Sequence, residues 1–289
     1  MRYVRFSHGP GPARPGVIEG TNVRPFDARV ASLEAYIAMT PAARATAIAQ
    51  LGKPVPLAEV VLRAPLQPVK NVFCVGRNYL AHAEEGAKAQ GIALDLPSVP
   101  TFFTKAPTAI ADPGEVLALD SALSPQYDWE AELGVIVGTH CRDVSEANAL
   151  SVVFGYTCFN DVTARDLQRS HVQWFKGKSL DHTGPIGPWI VDAADIADPQ
   201  KLDVALRVNG VEKQHSSTAN MIFSIRQVIA SLSAGLTLDP GDIIASGTPE
   251  GVGYARTPPE FLAHGDIMEV EIEGIGVLRN AVNLQGAKT

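Results

Sequence analysis

Between Tyr127 and Gly138 the chain reads YDWEAELGVIVG, a stretch that leaves few structural choices. Leu133 to Val137 is a run of branched apolar residues, the pattern of a strand buried on both faces. The residues just before it carry three carboxylates, Asp128, Glu130 and Glu132. Side chains two apart on a strand point to one face, with Cα atoms roughly 6.5 Å apart. Glu130 and Glu132 therefore project together, and two neighbouring carboxylates repel unless a positive charge lies between them. A hard cation such as Mg²⁺ answers that need, because it takes oxygen ligands and keeps positions open for a substrate. A Glu-x-Glu pair alone is more commonly a solvated strand face, so the rest of the chain has to decide.

The totals narrow the field. A chain of 289 residues has ample length for one large domain or two. A formal charge of −7 argues against nucleic acid or an anionic membrane surface as partner, since both need a basic face. No apolar run approaches a membrane span. The start, MRYVRFSHGPGPARPG, lacks the apolar segment of a secretory signal. Cys74, Cys141 and Cys158 are odd in number and widely spaced, which suits a reducing cytoplasm and neither a disulfide framework nor a zinc site.

Taken in order, residues 1–65 form a small α+β unit and 66–289 the main domain. Met1 to Phe6 and Val17 to Val23 read as short strands around a Pro- and Gly-rich turn, His8 to Gly16. Ala31 to Gly52 is helical, with Thr40 capping a second helix at Pro41. Val72 to Val75 is a strand, and Asn78 is placed to cap a helix from Tyr79. On that helix His82 and Glu85 are three apart and share a face. A carboxylate beside an imidazole fixes its tautomer and raises its basicity, as a general base requires, although surface His-Glu pairs are common. Phe102 to Ala111 continues the sheet. Gly155 to Phe159 is a strand, and Asp161 stands between its end and a helix over Val162 to Arg169, either as a helix cap or as a ligand. Trp174 to Pro188 reads as a loop carrying Lys176 and Lys178, ordinarily solvated residues. Asn209-Gly210 and Glu273-Gly274 mark two hairpins, and Ile222 to Ala234 is an amphipathic helix stopped by Gly235. Gly247, Gly251 and Gly253 let backbone approach a ligand closely without forming a Walker loop. The sum is a mixed α/β, mainly β fold with helices at its edges.

Five segments, in order, are GRNYLAH, WEAELGVIVG, FNDVTARDLQ, WFKGKSLDHTGPIGPWI and ASGTPEGVG. In this set and order the chain resembles the fumarylacetoacetate hydrolase family over roughly Pro68 to Leu284. The resemblance implies a β-roll or distorted β-sandwich core around one divalent ion, Mg²⁺ or Mn²⁺, and a cytoplasmic homodimer. It implies Glu130, Glu132 and Asp161 as metal ligands, and His82 and Glu85 as the base dyad of the acylpyruvase-like branch, on a lid that orders with substrate. Lys178 falls on that branch's active-site lysine, and Arg77, Gln168 and Thr248 on its substrate contacts. Two departures lie near the substrate: no aromatic follows Ser179, and Ser246 stands where Thr is common.

The implied substrate is a 2-oxo acid with a second carbonyl at C4, whose carboxylate and 2-oxo oxygens can chelate the ion. His82, oriented by Glu85, would deprotonate a water that attacks C4, and the C3–C4 bond would break to release pyruvate. Lys178 would stabilise the oxyanion or return a proton to carbon. Decarboxylation of an oxaloacetate-type acid, and hydration or isomerisation of a 2-oxo-enoate, would use the same residues. A non-catalytic binding protein would not need all six. A two-metal phosphatase would need more ligands than the scattered histidines supply. Arg165, Arg169 and Lys176 are candidates for an anionic tail, while His171 and His182 read as ordinary loop histidines.

Overall fold

The computed structural model describes residues 1–286. The mainly β expectation holds, with a twelve-stranded sheet, a five-stranded sheet and helices at their margins. Ala131–Val137 lies inside the large sheet, antiparallel to Val153–Asn160 on one side and Ile243–Ala245 on the other. Beyond Ile243–Ala245 come Val72–Gly76, running parallel to it, and Thr101–Lys105.

All seven residues of Ala131–Val137 are buried, because both faces of the sheet are covered. Leu133, Val135 and Val137 pack with Val204, Leu206 and Val270 of the five-stranded sheet. Ile136, of opposite parity, packs with Leu33, Tyr36 and Ile37 of the helix Leu33–Ile37. Glu130 and Glu132 share Ile136's parity, so they point away from the five-stranded sheet.

The N-terminal strands continue the large sheet. Arg2–Ser7 pairs with Gly184–Asp192, with Arg2 opposite Val191 and Tyr3 opposite Ile190. The helix Pro41–Ala49 begins as expected, with Pro41 in its first turn and the Thr40 hydroxyl accepting from the Ala43 N–H. Asn209 and Gly210 both have positive φ, 54° and 76°, the combination a tight two-residue hairpin needs.

Several local expectations are overturned by tertiary partners. Asn78 does not cap the helix Leu80–Gln90, which starts from Tyr79 without a side-chain cap. Its amide instead donates to the carbonyls of Phe223 and Ser246 and accepts from the Phe223 N–H. Asp161 caps nothing, since the helix begins only at Arg165, after the short pairing of Thr163–Ala164 with Tyr127–Asp128. Trp174 to Pro188 is not all loop: it holds the short helix Phe175–Lys178 and the start of Gly184–Asp192. Gly177 lets that helix press on the helix Arg165–Ser170, where a Cβ would collide with the Gln168 backbone nitrogen. The N-terminal turn is shorter than expected, because Pro15 and Gly16 pair with Arg5 and Val4.

Gly155 marks the tightest approach in the large sheet, where an added Cβ would lie 2.2 Å from the Val191 carbonyl oxygen. Gly155→Ala is expected to cost about 3 kcal/mol, the upper range for overpacking a core. Chemical unfolding would measure it, with Gly210→Ala, strained only in its turn, as the milder comparison.

Candidate active site

The pairing of Ala131 with Asn160 sets Asp161 beside the Glu-x-Glu end of the neighbouring strand. Two bonds hold the junction: the Asp161 N–H donates to the Glu130 carbonyl at 2.9 Å, and the Glu130 N–H donates to Asn160 Oδ1 at 3.0 Å. Glu130, Glu132 and Asp161 are all buried, and each offers an oxygen within 4.8 Å of the others.

Three buried cations surround these acids. Lys178 Nζ lies 2.7 Å from both Glu130 Oε2 and Asp161 Oδ2. Lys105 Nζ lies 2.7 Å from Asp161 Oδ1. Arg165 bridges Asp128 at 2.8 Å and Glu130 at 2.7 Å. Glu132 is the exception. It accepts the Gly247 N–H at 2.8 Å, and among the described residues it has no ion-pair partner.

The proton affinities follow. Burial would raise Glu130, but Lys178 and then Arg165 outweigh it and hold the carboxyl at about 2. For Glu132, burial first and then Asp161 and Glu130 push the pKa well above the usual carboxylate range. Burial would lower Lys178, yet Asp161 and Glu130 raise it overall, so it stays an ammonium. Lys105 goes the other way, because burial outweighs Asp161. With Asp128 counted, four buried carboxylates face three cations, and Glu132 is the one left without an ion pair, which favours a proton or a cation there. An all-oxygen set of three carboxylates fits a hard divalent ion.

A cavity of about 780 Å³ opens over this cluster, and Glu130, Glu132, Lys178 and His82 line it. His82 Nδ1 lies 2.8 Å from Glu85 Oε1, and the other Glu85 oxygen accepts the Gly251 N–H at 2.9 Å. Arg77, Gln168 and Thr248 reach the same cavity. Arg77 does so from a left-handed backbone, φ 53°, a conformation that costs a non-glycine residue energy. Gln168 Oε1 accepts from Arg165 at 3.1 Å, and Thr248 Oγ1 accepts from Gln214 at 2.8 Å. The nine residues that the resemblance implied thus stand at or beside one cavity.

The tail candidates divide. Arg165 is committed to Asp128 and Glu130, and Lys176 is exposed. Arg169 and His171 line the cavity, whereas His182 pairs with Glu115. Sequence reasoning missed Lys105. The only signal was a lysine ending the apolar strand Thr101–Lys105, in register with Phe103. It also left Asp128 without a role. That carboxylate is fully buried and accepts from the Trp129, Gly253 and Tyr254 N–H groups as well as from Arg165.

Comparison with known proteins agrees with this geometry. The family model described as fumarylacetoacetate (FAA) hydrolase, C-terminal, matches residues 71–283. The chain belongs to the fumarylacetoacetate hydrolase family. A second model, described as Rv2993c-like, N-terminal, matches residues 1–65. The chain is 46% identical over 227 residues to an oxaloacetate tautomerase, YisK, of Bacillus subtilis, covering 78% of this chain and 74% of that protein. It resembles the solved fumarylacetoacetate hydrolase of Exiguobacterium antarcticum at 40% identity and TM-score 0.84, covering 99% of this chain and 100% of that one. A 2-hydroxyhepta-2,4-diene-1,7-dioate isomerase of Mycobacterium marinum is 34% identical with TM-score 0.78, covering 99% of both chains. The chain is therefore an enzyme of a family whose members include hydrolases, isomerases and tautomerases.

The state of Glu132 predicts how stability varies with pH in metal-free protein. Its raised pKa means the folded form keeps a proton that the unfolded chain releases. The contribution is full below the ordinary Glu value of about 4.3 and is lost as pH rises through the raised value. Glu130, held at about 2, would act in the opposite sense only at much lower pH. The thermal midpoint in EDTA is expected to fall as pH rises above the ordinary Glu value, and Glu132→Gln or saturating Mg²⁺ to flatten the fall.

Proposed function

We propose that the protein hydrolyses the C3–C4 bond of a 2,4-dioxo acid, releasing pyruvate and a carboxylic acid. In this reading Glu130, Glu132 and Asp161 hold one Mg²⁺ or Mn²⁺ ion. The observation that carries it is the opening of the buried acid cluster and the His82–Glu85 pair onto one cavity. A divalent ion there would supply electrophilic stabilisation of negative charge on the substrate's 2-oxo oxygen.

The chain's own residues supply the remaining steps. Glu85 accepts from His82 Nδ1, which leaves Nε2 free to take a proton from water. The water oxygen bonds to C4, the C3–C4 bond breaks, and its electron pair passes to C3, which then takes a proton. Lys178 cannot serve as the base, since Asp161 and Glu130 keep it protonated. Its place is to hold positive charge beside the developing oxyanion and to give a proton to carbon. Arg77, Gln168 and Thr248 orient the substrate from the cavity wall.

The likeness to the Bacillus subtilis oxaloacetate tautomerase, 46% over 227 residues, favours a second reading. There His82 would move a proton between C3 and the 2-oxo oxygen without breaking a carbon–carbon bond. A panel of 2,4-dioxo acids and oxaloacetate separates the two. Enol absorbance followed by product mass gives pyruvate for hydrolysis, an unchanged mass for tautomerisation and loss of CO₂ for decarboxylation. His82→Ala is expected to lower turnover by about 10³-fold while calorimetry finds its divalent-ion affinity unchanged. Turnover that survives the substitution would remove His82 as the base.

A further inference from the structure

The helix Leu80–Gln90 carries a glycine, Gly86, one residue after Glu85. Glycine in a helix interior costs about 0.5–1 kcal/mol relative to alanine, so its presence calls for a close neighbour. That neighbour is Tyr254, whose hydroxyl would lie 2.8 Å from a Cβ at Gly86. Four residues earlier on the same helix, His82 lines the cavity.

Tyr254 is not free to give way. Its N–H donates to Asp128 Oδ2 at 3.1 Å, and the Gly253 N–H donates to Asp128 Oδ1 at 2.7 Å. The Trp129 indole N–H donates to the Gly251 carbonyl at 3.2 Å. The Arg165 guanidinium lies over the Tyr254 ring, 4.5 Å from its centroid. The segment Gly251 to Tyr254 is therefore tied to Asp128 and Trp129, the residues immediately before Glu130. The helix meets that segment twice: Glu85 Oε2 accepts the Gly251 N–H at 2.9 Å, and Gly86 abuts the Tyr254 hydroxyl. One contact draws the helix in and the other stops it.

We propose that Tyr254 is a positioning residue: its hydroxyl, seated on Gly86, sets the depth at which the base helix docks and so the place of His82 over the acid cluster. This rests on the reading of His82 as the base. The segment Gly251 to Tyr254 acts as a gauge between the strand end that carries Glu130 and Glu132 and the helix that carries the dyad. Because docking depth moves His82 and leaves Gln168 and Thr248 in place, its disturbance lowers kcat and spares KM.

The test is Gly86→Ala with and without Tyr254→Phe, in the full chain with Mg²⁺. Two quantities are read. Hydrogen exchange of peptides spanning Gly251 reports the bond to Glu85 and needs no turnover, and kcat and KM are measured with the best 2,4-dioxo acid. G86A should improve helix propensity yet speed exchange at Gly251 at least about tenfold and lower kcat about a hundredfold at unchanged KM. Y254F removes the oxygen that the new methyl would meet, so the double variant should recover both quantities to within about threefold. Unchanged exchange in G86A overturns the proposal, since the tyrosine then yields. A loss that Y254F does not repair also overturns it, since the fault is then general to the helix. If the wild-type chain cleaves no 2,4-dioxo acid, the proposed reaction fails alone, and the exchange data still decide whether Tyr254 sets the docking depth.

Discussion

A carboxylate cannot be buried without an answering charge or proton, and this molecule buries four in one place. Asp128, Glu130, Glu132 and Asp161 are 4% exposed or less. Desolvating one such group without a partner costs several kcal/mol. Lys105, Arg165 and Lys178 answer most of that demand. The pattern of ion pairs then ranks the acids: Asp128, Glu130 and Asp161 are neutralised, and Glu132 is left to a backbone N–H. The cluster thus holds one carboxylate without an ion pair, among three acids whose oxygens lie within 4.8 Å of one another.

The large sheet makes this arrangement affordable. Its central strand is sealed between the five-stranded sheet and the N-terminal helices, so the strand end has little freedom to splay its acids apart. The segments around it are held from a distance: Asn78 ties the turn before the base helix to Ser246 and Phe223, and Ser246 precedes the Gly247 N–H that reaches Glu132. The acid cluster and the His82–Glu85 pair are mounted on different segments but share one set of anchors. Those anchors leave little slack between the acid cluster and the imidazole.

Reading the sequence succeeded where local spacing decides the outcome. The continuous apolar run Leu133–Val137 marked a doubly buried strand, and the two-residue step placed Glu130 and Glu132 on one face. The three-residue step joined His82 to Glu85, now seen at 2.8 Å, and Asn209-Gly210 turned as its residue types require. It failed where a side chain had two outlets of similar local merit. Asn78 looked like a helix cap and found better partners far along the chain, in Phe223 and Ser246, and Asp161, read as cap or ligand, stands in the acid cluster beside two lysines. Lys176 and Lys178 are indistinguishable by spacing, yet one is exposed and the other buried.

What the sequence determined by itself is the set of pieces whose partners lie within a few residues: a doubly buried strand, its paired acids, the oriented imidazole and the turns. Their geometry follows from strand and helix periods, which no distant contact alters. Only the tertiary structure decided which cations enter the core, which carboxylate stays uncompensated and that the helix Leu80–Gln90 meets Tyr254 at Gly86. Those outcomes depend on contacts between separate segments, from 17 residues apart for Lys178 with Asp161 to 166 for Glu85 with Gly251. Such contacts form only when the whole sheet closes, and no local spacing encodes them.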